Sequence, residues 1–377
     1  MGLTTGSSTK LRIALLTYST KPRGSVVHTL ELANALHELG HAPCVFALDK
    51  DQKGFHRVVN FQTYSVPSAP CEGDIDQLIK QRIGEFVTFF QVHLETHTYD
   101  IYHAQDCLSA NALASLKAQG RISQFVRTVH HVEAFRSPYL QDCQEKSIYQ
   151  PDQCLCVSEL WQQVLKTDYG LTAYRVSNGV SDRFSPQHDG SETALAKRYG
   201  IQDGLVYLTV GGIEPRKNSI NLLKAFALVR QQQPQVQLVI AGGATLFDYQ
   251  DYRQQFMAVA DNLDIKDALI LPGVVPDKDM PPLYRLADGF VFPSVKEGWG
   301  LVLLEAIASG IPVLTSNRPP FTEFLSSKSA ILVDPTDVRS IAQGMERLPN
   351  ASVPDPSALL GWQLSAQQHF SLYLQLV

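Results

Sequence analysis

Short apolar runs that end at polar residues and give way to helical periodicity recur through both halves of this chain, and no other feature constrains the fold as tightly. In the first half, Arg12-Ile-Ala-Leu-Leu-Thr17, Pro43-Cys-Val-Phe-Ala-Leu48, Asp100-Ile-Tyr-His103, Phe125-Val-Arg-Thr-Val129 and Gln153-Cys-Leu-Cys-Val157 read as strands. Between the first two, Val26 to Leu39 reads as a helix with Val26, Leu30, Ala33 and Leu36 on one face and Gly40 closing it. Ile75 to Glu95 reads as a long helix. The second half repeats the pattern, with strands at Leu205–Val210, Val236–Ile240, Ala268–Leu271, Gly289–Phe292 and Pro312–Thr315. Strands that are apolar throughout and alternate with helices belong to parallel sheets covered on both faces.

A chain of 377 residues favours two such domains over one. The turn-rich stretch Ser177-Asn-Gly-Val-Ser-Asp-Arg-Phe-Ser-Pro186-Gln-His-Asp-Gly190 is the expected boundary, giving domains 1–185 and 186–357. The tail from Pro356 to Val377 reads as helical, with Trp362, Phe370, Tyr373 and Leu374 as packing residues. Ligands of open α/β sheets bind beyond the carboxyl ends of the strands, so a central cleft between two facing domains is the expected site.

Net charge is −5, which gives no basic footprint for nucleic acid. No apolar run reaches the ~18 residues of a membrane span, and the polar start Met1–Lys10 lacks a signal-peptide core and reads as a short disordered lead. The six cysteines, Cys44, Cys71, Cys107, Cys143, Cys154 and Cys156, form no CxxC pair. They read as buried thiols in a reducing compartment, so a cytoplasmic protein without a metal site is expected.

The segment most suggestive of chemistry is Pro293-Ser-Val-Lys-Glu297-Gly-Trp-Gly300-Leu-Val-Leu-Leu-Glu305-Ala. A buried strand precedes it and a helix, Leu301 to Ala308, follows. A strand, a glycine turn and a helix start make an anion site, because free amides and the helix dipole point at the turn. Gly298, Gly300 and Leu301 would donate N–H groups there, and Trp299 either lines a sugar pocket or packs. With Glu297 before the helix and Glu305 about two turns along it, the carboxylates lie roughly 12 Å apart. That spacing suits an elongated ligand with hydroxyls at both ends, such as a nucleotide-sugar. The plainer reading is a pair of helix-start and surface glutamates.

Val210-Gly211-Gly212-Ile-Glu-Pro-Arg216-Lys217-Asn218 also joins a strand to a helix. Arg216 and Lys217 would neutralise a leaving diphosphate, one as a planar fork and the other as a point charge. In the first half, Thr17-Tyr-Ser-Thr-Lys-Pro-Arg23-Gly24-Ser25 is either a phosphate-facing loop, with Gly24 at its helix start, or a plain connection. Histidines gather at strand ends: His103 with Gln105 and Asp106, then His130 and His131.

Phe292-Pro-Ser294…Glu297-Gly-Trp-Gly…Glu305-Ala-Ile-Ala-Ser-Gly310-Ile-Pro312-Val resembles the E-x7-E segment of glycosyltransferase family 4, the large retaining group of GT-B fold. The resemblance extends over nearly the whole chain. It implies an α/β architecture of two Rossmann-like, doubly wound domains facing a central cleft, with the last helix, about 358–377, crossing back to the first domain. It further implies that Glu297 contacts donor-sugar hydroxyls, Glu305 the ribose, and Arg216 and Lys217 the diphosphate, and that His130 is the active-site histidine. Catalytic candidates are therefore His130, Arg216, Lys217 and Glu297. Gly24, Gly211, Gly212, Gly298, Trp299, Gly300, Leu301 and Glu305 join the donor site. His103, Asp106 and His131 are acceptor-side candidates, and Glu323 is a supporting residue. Two departures stand out: Gly212 occupies the place of an arginine, whose charge Arg216 would supply, and Asn218 replaces a glycine. Asn178-Gly179-Val180 is similar to a hinge segment of the family, or is only a turn.

The implied activity is retaining transfer of a hexose-type sugar from a nucleotide-diphosphate sugar to a hydroxyl on a glycan, lipid-linked or small-molecule acceptor. The nucleotide-sugar is a co-substrate, and no further cofactor is expected. A lipid-linked acceptor would bring the protein to a membrane surface. A nucleotide-sugar epimerase of the same fold and a catalytically silent partner subunit are the alternatives. A nicotinamide dehydrogenase is disfavoured, since no Gly-x-Gly-x-x-Gly follows the first strand.

Overall fold

The computed structural model describes residues 10–243 and 249–377. The polar lead Met1–Thr9 lies outside the described residues. The chain divides into two compact units. One holds the chain up to Val157, then Trp161–Asn178 and Trp362–Val377, and the other Ser158–Leu160 and Gly179–Gly361. The crossing therefore falls before the 185/186 boundary expected from the turn residues. Val180 bridges Gly361 and Phe184 sits in the core of the second unit, so this stretch is anchored there rather than left as linker.

The first unit contains β1 (Arg12–Thr17), α1 (Gly24–Glu38), β2 (Ala42–Asp49), β3 (Gln62–Pro67), α2 (Ile75–His93), β4 (Ile101–Ala104), α3 (Cys107–Ala118), β5 (Val126–Val129), α4 (Pro138–Tyr149) and β6 (Gln153–Cys156). Next come α5 (Glu159–Tyr169), whose first residues count with the other unit, and β7 (Tyr174–Arg175). Its seven strands run parallel in the order β3-β2-β1-β4-β5-β6-β7. Asp74 and Gln77 form a capping box for α2, and Asp106 and Ser109 one for α3.

The second unit contains α6 (Ser191–Tyr199), β8 (Val206–Val210), α7 (Ser219–Gln232), β9 (Gln237–Ala241), α8 (Gln250–Asn262), β10 (Leu269–Gly273), α9 (Met280–Arg285), β11 (Gly289–Phe292), α10 (Leu301–Ala308), β12 (Val313–Ser316), β13 (Ile331–Val333) and α11 (Val338–Arg347). Its six strands run parallel in the order β10-β9-β8-β11-β12-β13. Successive side chains of a strand face opposite sides, and the packing shows it. Tyr207, Leu238, Ile240, Val291 and Leu314 pack with α7, α8 and α11. Leu208, Val239, Phe290, Phe292 and Val313 pack with α6, α9 and α10. Two-sided burial is why these strands read as continuous apolar runs.

The last helix, α12 (Trp362–Tyr373), belongs to the first unit and packs on α1. Trp362 and Tyr373 are buried, as the sequence reading expects, and the Phe370 ring packs against His41 in a tilted arrangement, centroids 4.3 Å apart. Leu374 is instead exposed, because the helix ends one residue before it.

Candidate active site

Parallel strands place all their carboxyl ends on one edge of each sheet. In the second unit β8 ends at Val210 and leads into Gly211, which has φ +146°. A Cβ on Gly211 would lie 3.1 Å from Lys217 Cε, so this glycine leaves room for the lysine. Behind it, a Cβ on Gly242 would lie 2.1 Å from the Gly211 carbonyl oxygen. The backbones of the β8 and β9 loops thus touch directly.

Pro215–Lys217 forms a single 3-10 turn, and Asn218 opens α7 in the left-handed conformation at φ 61°. Asparagine is among the few residues other than glycine that adopt it readily. The substitution of Asn218 for the family glycine therefore keeps the backbone and adds a side chain. Its amide donates to the carbonyls of Pro293 (3.1 Å) and Pro335 (2.6 Å), tying together the loops that follow β8, β11 and β13.

Lys217 Nζ lies 2.6 Å from Glu297 Oε1 and 4.4 Å from the centre of the Phe292 ring. Arg216 reaches the same Oε1 at 2.9 Å and, through Nε, Glu214 Oε2 at 3.1 Å. Ser294 Oγ lies 2.9 Å from Glu297 Oε1 and 2.8 Å from the Arg216 carbonyl. Two cations and a hydroxyl converge on one carboxylate oxygen. Burial pushes the Glu297 carboxyl up, but the charges of Lys217 and Arg216 outweigh it and hold the pKa at about 2. Burial pulls the Lys217 ammonium below its usual range, against the opposing pull of Glu297.

Gly300 takes φ +115° before α10, with the Phe321 ring 3.1 Å from where a Cβ would sit. No side chain caps α10 and no acid lies in its first turn, so its N-terminus keeps the amide dipoles that attract anions. Gly298 and Leu301 flank this turn. Trp299 stacks on Phe324 at 4.6 Å, and its buried indole N–H has no partner among the described residues. The helix starts at Leu301 as expected, which makes Glu305 its fifth residue and places it in the second turn. Its Oε2 accepts from the buried Tyr284 hydroxyl at 2.7 Å. Burial, then the Glu305 charge, holds that phenol well above its usual range. Glu323 accepts from the amides of Glu159 (2.7 Å) and Leu160 (2.9 Å), which belong to the same unit.

In the first unit, Gly24 opens α1, and a Cβ there would meet nothing within 4 Å. Among the described residues, nothing within reach of a Cβ demands glycine at this position. His103 is a correction to the acceptor-side set. It points into the unit and is fully buried, with Nδ1 2.7 Å from the Tyr373 hydroxyl and Nε2 2.8 Å from Thr128 Oγ1. His130, just beyond β5, is half-buried, and its Nε2 lies 3.1 Å from Gln105 Oε1. Burial, then His28, Arg127, His131 and His103, hold His130 well below the usual histidine range, so the imidazole is neutral. His131 is exposed and pairs with Glu133 at 2.9 Å, turned to a different partner from its neighbour. Asp106 caps α3 through Oδ1, 2.8 Å from the Ser109 amide, while its buried Oδ2 has no hydrogen-bond partner among the described residues. Burial raises its pKa despite the nearby Arg127 charge.

Sequence reasoning missed His28, whose Nδ1 lies 2.8 Å from Asn178 Oδ1 and whose ring meets that of His130 edge-on at 4.7 Å. It also gave no role to Ser294. Ser294 stands in the strand-end string beside Glu297, which is a usable signal. His28 lies mid-helix and 150 residues from its partner, which leaves none.

Comparison with known proteins matches both halves to family models. Residues 22–184 match Glycosyltransferase Family 4 and residues 191–354 match Glycosyl transferases group 1. The chain belongs to glycosyltransferase family 4. Among curated family members, the α-monoglucosyldiacylglycerol synthase of Streptococcus pneumoniae is 27% identical over 84% of this chain and 74% of its own. Mannosylfructose-phosphate synthase of Agrobacterium fabrum is 28% identical over 59% of this chain and 52% of its own. Among solved structures, sucrose-phosphate synthase from Thermosynechococcus elongatus superposes with a TM-score of 0.79 at 21% identity, covering 97% of this chain and 99% of that one. Anabaena HepE in complex with UDP and glucose superposes with a TM-score of 0.75 at 17% identity, covering 96% and 99%. The fold is GT-B, two Rossmann-like α/β units, and the protein is a glycosyltransferase. No described helix is long and apolar enough to cross a membrane.

Proposed function

We propose that this protein transfers a hexose-type sugar from a nucleotide-diphosphate sugar to an acceptor hydroxyl, with retention of the anomeric configuration. The observation that carries the proposal is the convergence of Lys217, Arg216 and Ser294 on Glu297 Oε1 at the strand ends of the second unit. Without ligand, Glu214 and Glu297 balance the two cations. A diphosphate arriving at the α10 amides competes for Arg216 and Lys217 and brings the charge those cations stabilise. Glu297 then turns hydrogen-bonding capacity toward the sugar hydroxyls. Glu305, already orienting one oxygen on Tyr284, offers a carboxylate to the ribose.

In the reaction, the acceptor oxygen bonds to the anomeric carbon on the face from which the diphosphate departs. The acceptor proton passes to a phosphate oxygen of the leaving group. Catalysis then rests on positioning and on stabilising the diphosphate charge, the work of Lys217, Arg216 and the amides near Gly298 and Gly300. His130 offers a neutral ring to a sugar or acceptor hydroxyl. Relatives named for glucosyl and mannosyl transfer, and neighbours solved with UDP or UDP-glucose, support a hexose donor.

The test is a thermal-shift panel of UDP, GDP, ADP, TDP and their common sugar conjugates, with Glu305→Ala as control. A ligand at about 100 times its Kd adds about 2.7 kcal/mol to the folded state. One diphosphate should raise the wild-type midpoint, and much less that of the variant. The anomeric signal of the product, read by NMR with that donor, then decides retention against inversion. No shift with any nucleotide sinks the reading.

A further inference from the structure

Gln105 follows β4 directly and is fully buried, with its own amide donating to the Leu16 carbonyl at 2.9 Å. Its side chain lies between two histidines. On one side Oε1 is 3.1 Å from His130 Nε2. On the other, Nε2 is 3.2 Å from His103 Nε2 and 3.4 Å from His103 Nδ1. The orientation of such an amide follows from the network around it. Both ring nitrogens of His103 are already engaged, one by the Tyr373 hydroxyl and one by Thr128 Oγ1. A neutral imidazole has one N–H and one lone pair in its plane, so His103 has no N–H left for a carbonyl oxygen. An amide N–H, by contrast, is attracted to the ring electrons. The NH2 group therefore faces His103 and the oxygen faces His130.

An amide oxygen only accepts, so His130 must carry its proton on Nε2. Its Nδ1 has no hydrogen-bond partner among the described residues and is not among the buried unpartnered atoms, which leaves a bare lone pair open to a ligand. We propose that Gln105 is a positioning residue that locks His130 as the Nε2–H tautomer, so that Nδ1 accepts a hydrogen bond from a hydroxyl of the sugar or the acceptor. The catalytic use of that nitrogen rests on the transferase reading above; the tautomer does not. His130 stays neutral among His28, His103, His131 and Arg127, which surround it. The assignment makes His130 a hydroxyl orienter rather than a proton donor.

The experiment is two-bond 1H–15N correlation NMR on the full chain labelled with ring-15N histidine, at neutral pH, with His130 assigned by the signal lost in His130→Asn. Wild type should show His130 with a protonated Nε2 and an unprotonated Nδ1. Gln105→Met, which keeps the length and removes the acceptor, should give a mixture of tautomers. Gln105→Glu, which keeps an acceptor oxygen, should restore Nε2–H. With the donor found in the nucleotide panel, Gln105→Met should lower kcat about tenfold, the size of one lost hydrogen bond, with donor KM changed less than threefold. A wild-type His130 protonated on Nδ1, or an unaltered pure Nε2–H pattern in Gln105→Met, overturns the proposal. Should the variant fail to fold, the wild-type spectrum and Gln105→Glu decide the tautomer. A protein with the expected spectrum but no transfer from any donor would instead remove the transferase reading and leave the tautomer standing.

Discussion

Lys217 Nζ and Glu297 Oε1 lie 2.6 Å apart, on a side-chain pair that is only 14% and 10% exposed. Breaking a buried pair leaves the surviving charge uncompensated, which costs about 3–5 kcal/mol. Arg216 remains beside Glu297 at 2.9 Å and softens that loss. Lys217→Ala should therefore lower kcat at least ~100-fold, the scale of losing one charge-stabilising group, and lower the unfolding midpoint as well. The double variant Lys217→Met, Glu297→Gln should regain stability and not turnover. If kcat stays near normal in Lys217→Ala, the lysine has no role at the leaving group.

Glu305 accepts from the Tyr284 hydroxyl at 2.7 Å. A residue that binds the ribose alike in ground and transition states changes KM and not kcat. Glu305→Gln should raise donor KM about tenfold, one lost charge-assisted hydrogen bond, with kcat within a factor of three. Tyr284→Phe removes only the orienting phenol and should raise KM by less. Steady-state kinetics with varied donor settles it, and an equal fall in kcat and kcat/KM would place Glu305 at the transition state instead.

The central strands were legible because both faces are buried. The edge strands β3 and β7 were not, since residues such as Tyr174 and Arg175 are exposed and carry no apolar run, and β13 was not because Ile331–Val333 is only three residues long; the edge strand β10 was read from its own apolar residues. For the candidate site, the strand–turn–helix string singled out Glu297, Gly300 and Glu305 in the sequence. The string could not show that Arg216 and Lys217 share one oxygen, because that depends on where the β8 and β11 loops meet. His103 and His130 looked alike as strand-end histidines. Their difference is depth: His103 lies inside β4 under Tyr373, whereas His130 lies beyond the end of β5.

Asn218 tests whether the glycine-to-asparagine departure is structural. Asn218→Gly keeps the left-handed backbone and loses the bonds to Pro293 and Pro335, about 1–3 kcal/mol in all. Asn218→Ala loses the same bonds and adds about 1–2 kcal/mol of backbone strain. Urea denaturation should rank wild type above Asn218→Gly above Asn218→Ala. Equal stability of the two variants would show that the left-handed conformation is not maintained.

Acid should weaken this protein before its carboxylates titrate. Burial, then the neighbouring His369, lowers His28 to about 3, and burial lowers His369 to about 4. Burial also holds His103 and His130 well below the usual range. A histidine of depressed pKa is neutral in the folded state and binds a proton more readily once unfolded, near 6.5. Its stabilising effect is complete above that value. As pH falls from about 6.5 toward the folded pKa, each such group removes about 1.4 kcal/mol per unit. The thermal midpoint should drop steeply between about pH 6 and 4.5, with less slope in His369→Gln, which cannot be protonated. A midpoint flat over that range would mean that these rings are already charged, or reach water, in the folded protein.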